Sequence, residues 1–475
     1  MTATTYAERT FLGQPVGVAY LAMTEAWERF SFYGMRALLV LYMVQELLLP
    51  GQIENVAGMD GYRAVIESIF GPLSTQAFAS QTFGLYSGFV YFTPMFGGLI
   101  ADRWLGARKT VLAGIVLMTM GHAAMVFDTS FLLALLLLVL GSGLLKGNVA
   151  AQVGHLYPAG EEVERARGYT IFSTGINIGA TLGPFICGLL AQIYGWHYGF
   201  GLAGIMMVVA AGVYIAGWKH FADDTPHHKR ETGPAAPMTR NDWFIVAFIV
   251  IVLLLSLPQF LAFDQGANVG MIWVADHVDL TSFLGTVPVP WFSSEDALAS
   301  ILIVPFLLWF WPRVGRGGKE PNDLTKMSVG AVVMALSMLA LAAGAMQADG
   351  GGKASILWPV LAFFLSGASF MFTWPVLLSF VSRRAPAPVN ALMMASVYLT
   401  AFMTGIGSGW LARFYEPLGM TGFWLLHVGI SIGGCVLILL LAPMIRRKLD
   451  ALEVVSTAEQ ETAAEQLLGE GEALR

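Results

Sequence analysis

The chain of 475 residues is built from long apolar runs separated by short polar turns. A helix needs about 20 mostly apolar residues to cross ~30 Å of hydrocarbon. Twelve stretches meet that length: residues 15–49, 79–101, 109–127, 130–157, 168–194, 198–218, 243–275, 292–312, 325–347, 354–382, 389–413 and 420–445. Several exceed the minimum, which predicts tilted or protruding helices. The pattern describes an all-α polytopic membrane protein.

Composition agrees. Hydrophobic residues make up 56% and charged residues 12%, where an ordinary soluble domain carries roughly 25% charged. The mean hydropathy is +0.65. These values exclude a soluble enzyme, a disordered chain and a nucleic-acid binder. The 53 Gly and 31 Phe suit membrane helices in which small residues let backbones approach. Cys187 and Cys435 lie in apolar runs and read as packing residues, so no disulfide framework is expected. Residues 1–14 contain no short apolar segment ending in small residues, so no cleaved signal peptide is expected.

The few charges then set topology. With the N-terminus placed in the cytoplasm, Lys and Arg divide 20 to 3 in favour of the cytoplasmic connections; only Arg63, Lys353 and Arg413 fall on the other side. That bias predicts both termini inside. The connection from His220 to Asp242 is rich in Pro and charge. It reads as a linker (219–242) between an N-terminal bundle of six helices (1–218) and a C-terminal one (243–448), with a Glu- and Ala-rich cytoplasmic tail at 449–475. GGLIADRWLGARK at 97–109 and WFWPRVGRGGK at 309–319 occupy the same point of each half, a weak internal echo. Six-helix repeats of this kind suggest alternating access around a midplane site. The first turn, with Gly98, Asp102, Arg103, Gly106, Arg108 and Lys109, resembles the loop signature of the major facilitator superfamily. An acid beside Arg at a helix end can dock neighbouring helices.

Ionisable side chains at bilayer depth are costly and mark function by default. The first span holds Glu25, Glu28, Arg29 and Arg36, spaced three, four and seven residues apart so that they share about one helix face. Such a stripe must line an interior cavity. Lys146 lies mid-span in LVLGSGLLKGNVAAQVG, a ready partner for a glutamate, and Asp264 lies in the seventh span. A carboxylate beside a cation takes up a proton when that cation is withdrawn, so the cluster suggests a proton-coupled carrier. Asp276, Asp279, Glu295 and Asp296 read as mouth or loop acids, Tyr33, Tyr91, Phe370 and Trp374 as pocket or packing aromatics, and His122 and His155 as isolated histidines. The sequence contains neither a GxxxxGK[ST] phosphate loop nor HExxH, which disfavours ATP-driven transport and metal-dependent hydrolysis. No cofactor beyond the proton gradient is expected.

The stretch Glu25-Ala-Trp-Glu28-Arg29-Phe30-Ser-Phe32-Tyr33-Gly34 resembles the ExxERFxYYG motif of proton-dependent oligopeptide transporters, the POT or PTR family, and similar strings recur from about residue 15 to 450. The resemblance implies a major facilitator fold of twelve transmembrane helices. The linker is too short for the extra helix pair of many bacterial members. It further implies a monomeric symporter of small peptides or peptide-like compounds in a bacterial inner membrane. Glu25, Glu28 and Arg29 would match the proton-coupling motif. Arg36 and Lys146 would match cations that hold the peptide carboxylate, with Lys146 also pairing to the glutamates. Asp264 would match a gating and protonation acid, and Tyr33 and Asn177 pocket positions.

The departures are specific. The family's tenth-helix Glu falls near Phe370, and no acid occurs between Asp349 and Glu416. The eighth-helix Asn-Pro is Asp296-Ala297, the fifth-helix Tyr is Ser173, and the eleventh-helix Trp falls near Val397. Either Asp296 replaces the lost Glu as the ammonium partner of ordinary di- and tripeptides, or the substrate lacks a free amino terminus, as a blocked or modified peptide or another organic anion does, because burying an ammonium without a partner is costly.

Overall fold

The computed structural model describes residues 10–158, 160–222, 238–282, 285–315 and 320–473. Most of the expected linker, together with Arg316 and Lys319 of the echoed basic turn, lies outside the described residues. The helices follow in order: α1 (Val16–Tyr42), α2 (Met59–Phe70), α3 (Thr75–Phe92), α4 (Pro94–Ile100), α5 (Ala107–Ala124), α6 (Phe131–His155), α7 (Glu162–Tyr194), α8 (Trp196–Gly217), α9 (Arg240–Gln265), α10 (Met271–His277), α11 (Trp291–Val314), α12 (Asp323–Asp349), α13 (Leu357–Arg384), α14 (Asn390–Leu411) and α15 (Tyr415–Ala473).

Local chemistry sets their limits. Ser74 accepts from Ala77 N at the start of α3, Asn322 accepts from Thr325 N at the start of α12, and Thr239 with Asp242 forms a capping box on α9. Gly195 takes φ 103° in the single-residue turn between α7 and α8, a conformation only glycine adopts without strain. Five-residue π-helical turns at Ala101–Leu105 and Gly266–Gly270 continue α4 and join α9 to α10, and α3 with α4 (Thr75–Leu105) and α9 with α10 (Arg240–His277) each form one longer crossing.

Among the described residues, nine stretches are long and apolar enough to cross a membrane, and one of them, Asn390–Leu449, contains two helices that reverse near Gly419. The helices α1, which carries four ionisable residues, and α5, which begins with Arg108 and Lys109, complete a set of twelve crossings. The short α2 stands outside this set.

The crossings form two groups of six. In the first, α1 packs on α7 and α8, and α5 on α6 and α8; in the second, α12 packs on α13 and α15, and α9 on α14 and α15. The groups meet along α3–α14 and α7–α11. The α3–α14 seam is backbone against backbone: a Cβ at Gly405 would stand 2.7 Å from Gly84 O, and one at Gly409 would stand 2.9 Å from Gln81 Cα. The polar contacts between the groups gather toward the end remote from the chain termini. There Asn268 Nδ2 donates to Ser80 O, Arg413 to Phe70 O at 2.6 Å, Trp291 Nε1 to Phe185 O and Gln192 to Thr286 O.

Candidate functional site

Two helix faces carry the site. On α1, the i, i+3, i+4 spacing places Glu25, Glu28 and Arg29 together, all buried. Arg29 Nε lies 2.8 Å from Glu25 Oε1 and 2.8 Å from Glu28 Oε2. The first contact is a hydrogen bond; the second is an off-axis ion pair, and neither Glu28 oxygen is hydrogen-bonded. Two carboxylates share one guanidinium and are incompletely satisfied, a costly arrangement in a dry interior.

Lys146 approaches from α6. Its Nζ is buried without a hydrogen bond or an ion pair to either glutamate; it rests 3.9 Å from the Phe32 ring centroid and 4.8 Å from that of Tyr91. The pairing expected from sequence is thus replaced by two cation–π contacts, although Glu28 remains within electrostatic reach. Phe32, where the family motif has Tyr, supplies the nearer ring. Tyr33 meets Phe32 edge-on at 5.1 Å.

One turn beyond Tyr33 on the same helix, Arg36 reaches across to the other group. Its Nη2 donates to Asp264 Oδ1 at 2.7 Å, and its guanidinium stands 5.2 Å from the Phe83 ring. Ser408 on α14 donates to the second oxygen, Asp264 Oδ2, at 2.7 Å. Asp264 sits at the end of α9, just before the π-helical turn. The residue singled out as a carboxylate-holding cation is therefore engaged in an ion pair between the groups. Ser408, the third member, was not legible in the sequence, because an isolated Ser in an apolar run carries no signal.

The C-terminal group presents a different surface. Phe370 stacks on Trp374 (centroids 5.8 Å, 17° between planes) and tilts against Phe263 at 5.1 Å. Trp374 in turn meets Phe260 and Tyr398 edge-on, each at 5.8 Å. The position where the family carries its tenth-helix Glu lies in this aromatic wall. Val397 is fully buried, and the neighbouring Tyr398 supplies the eleventh-helix ring instead. Tyr398 is within electrostatic reach of Arg29 and Glu25, so the wall faces the α1 cluster.

The remaining candidates scatter. Asp296 on α11 is partly buried, with Oδ1 lacking a hydrogen bond, within electrostatic reach of Arg36. Ser173 and Asn177 are exposed one turn apart on α7, with no side-chain hydrogen bond among the described residues. Asp102 and Arg103 are exposed and dock nothing among the described residues, whereas Arg108 turns inward over Trp218 and donates to Phe221 O.

With this arrangement in view, comparison with known proteins decides the family. The POT family profile matches residues 108–241 and 244–418. The chain belongs to the POT family. Among curated relatives, a POT-family comparison with "Peptide transporter YePEPT" of Yersinia enterocolitica gives 27% identity over 95% of this chain and 98% of that protein. A "Di-/tripeptide transporter" of Lactococcus lactis subsp. cremoris is 28% identical over 82% of this chain and 88% of its own length. The fold agrees as well: a crystal structure of a peptide transporter POT in complex with alafosfalin superposes with a TM-score of 0.79 at 26% identity, covering 93% of this chain and 97% of that one. These relatives are transporters rather than enzymes, and the POT fold places this chain among integral membrane proteins built as two bundles of six helices.

Proposed function

We propose that this POT-family protein carries di- and tripeptides, or closely peptide-like compounds, in symport with protons. The observation that carries the reading is the α1–α6 cluster: Glu25, Glu28 and Arg29 buried together, with the Lys146 ammonium held beside them on aromatic faces and free of any carboxylate. A carboxylate stays ionised beside a cation and takes up a proton when that cation leaves it in a dry interior. Lys146 is placed to accept a substrate carboxylate in exchange for its ring contacts. The same event alters the field on Glu28 and links substrate to proton. Family membership and the peptide-transporter relatives support the substrate class.

In this reading the substrate sits at the midplane between the groups, and the Arg36–Asp264–Ser408 contact closes the far end while the terminal end is open. Exchange of closed and open ends is the alternating-access step. Asp296, with its unbonded Oδ1, takes the substrate ammonium. Asp102 and Arg103, undocked here, engage when the terminal end closes. The Lys and Arg bias supports cytoplasmic termini; in this reading the protein acts as a monomer in a bacterial inner membrane, driven by the proton gradient alone.

Reconstituted liposomes test the proposal. An imposed pH difference is expected to drive dipeptide accumulation, and Lys146→Ala is expected to abolish it. Robust concentrative uptake by that variant would sink the coupling assignment. A thermal-shift comparison of free, N-acetylated and C-amidated peptides tests the substrate ends. Stabilisation by N-acetylated but not free peptides would overturn the role given to Asp296.

A further inference from the structure

A second polar cluster lies in the N-terminal group, at the end remote from the termini, and has no part in the transport cycle proposed above. Glu46 sits in the π-helical turn Met43–Leu47 that follows α1. Asp128 opens the 3-10 turn Asp128–Ser130 between α5 and α6, and His197 lies in the first turn of α8. One ligating atom from each lies within 4.8 Å of those of the other two, and all three residues are partly buried. His197 Nε2 is 3.4 Å from Asp128 Oδ1. Two ligand atoms on a tetrahedral zinc ion, each about 2.0–2.1 Å from the metal, stand about 3.4 Å apart. The Asp–His edge already has that spacing.

The surroundings fit a cation as well. Two carboxylates face one imidazole. Two like charges then share a partly desolvated corner, an arrangement a bound cation relieves. The Tyr42 hydroxyl donates to Asp128, and the Tyr42 ring meets the His197 ring edge-on at 5.9 Å. Outer contacts of this kind hold ligating side chains in orientation. His197 Nδ1 is buried without a hydrogen-bond partner, so no other acceptor fixes which ring nitrogen carries the proton.

We propose that Glu46, Asp128 and His197 form a binding site for a divalent transition-metal ion of the zinc type, with the fourth position left to water. Mixed imidazole and carboxylate donors suit such an ion better than Mg2+, which keeps most of its water and prefers oxygen. The ion ties together the ends of α1, α6 and α8. All three ligands belong to the N-terminal group, so the ion stiffens that group without fastening it to the other. Its binding is measurable whether or not peptide transport is observed.

The test uses the full chain in detergent, stripped with a chelator and freed of any affinity tag. Added Zn2+ is expected to raise Tm and to bind one per chain in calorimetry; Mg2+ at the same concentration is not. Glu46→Gln, which leaves the Tyr42–Asp128 bond in place, and His197→Ala are each expected to weaken Zn2+ binding about tenfold or more. His277→Ala, at the same end but outside the cluster, is expected to bind as the unmodified chain does. The Tm of each metal-free variant is measured first, and His197→Gln replaces His197→Ala if the latter does not fold. X-ray absorption of the zinc-loaded protein is expected to show a nitrogen and oxygen shell with one imidazole. No Zn2+-dependent shift in the unmodified chain, or unchanged affinity in both cluster variants, overturns the proposal.

Discussion

The α1–α6 face and the α9–α13–α14 face look toward one another across the two groups and are built from opposite materials. The first buries Glu25, Glu28, Arg29 and Lys146. The second presents rings: buried Phe260, half-buried Phe263, Phe370 and Trp374, and exposed Tyr398. Charged groups in a dry interior are held by long-range forces and remain poised to exchange partners. Stacked rings are held by short-range contact, and each edge or face contact contributes about 0.5–1.5 kcal/mol beyond its buried area. The contrast separates two jobs. In the proposed mechanism the charged face triggers the changes of state, and the aromatic face packs a side chain of the substrate.

This division can be broken most directly at Lys146. Lys146→Met is expected to reduce proton-driven uptake to the background of empty liposomes while leaving Tm unchanged or raised, because a buried ammonium without a carboxylate partner is replaced by an apolar chain of similar length. A fall in Tm would show that the ring contacts of Lys146 are structural. Next in size is Arg29→Met, which leaves Glu25 and Glu28 buried without their shared cation. Loss of about 3–5 kcal/mol of stability at pH 7 is expected, read by denaturation in detergent. Trp374→Ala tests the other face: removal of its stack and two edge contacts is expected to cost about 2–4 kcal/mol and to weaken binding of peptides with large apolar side chains, with the pH profile of uptake unmoved. A displaced pH profile would mean the two faces are not separate in function. The smallest effect belongs to Ser408→Ala, which removes one hydrogen bond to Asp264 and is expected to cost about 1 kcal/mol, read as easier crosslinking or solvent labelling at the remote end.

The twelve crossings were legible in the chain because hydrophobic length is a one-dimensional property, and the buried charges of α1 because spacings of three, four and seven residues map onto one helix face. Partner choice was less legible. Lys146 and Glu28 are 118 positions apart, and no local rule says that the ammonium rests on Phe32 and Tyr91 instead of a carboxylate. Ser408 meets Asp264 across 144 positions, and Tyr398 completes the ring cluster only after α14 is set against α13. The Glu46–Asp128–His197 cluster likewise draws on three separate turns, none with a motif of its own. Side chains at helix ends gain meaning only from which ends the packing brings together.

The seam between α3 and α14 carries a last consequence. Because Gly84, Gly405 and Gly409 bring main chain to main chain, each carbon atom added there acts as a doorstop of known thickness. A graded series from Gly to Ala to Val at position 405 sets a minimum gap between the two groups. The resting poise of the molecule then becomes adjustable by residue volume alone, with no change to any charge, ring or ligand.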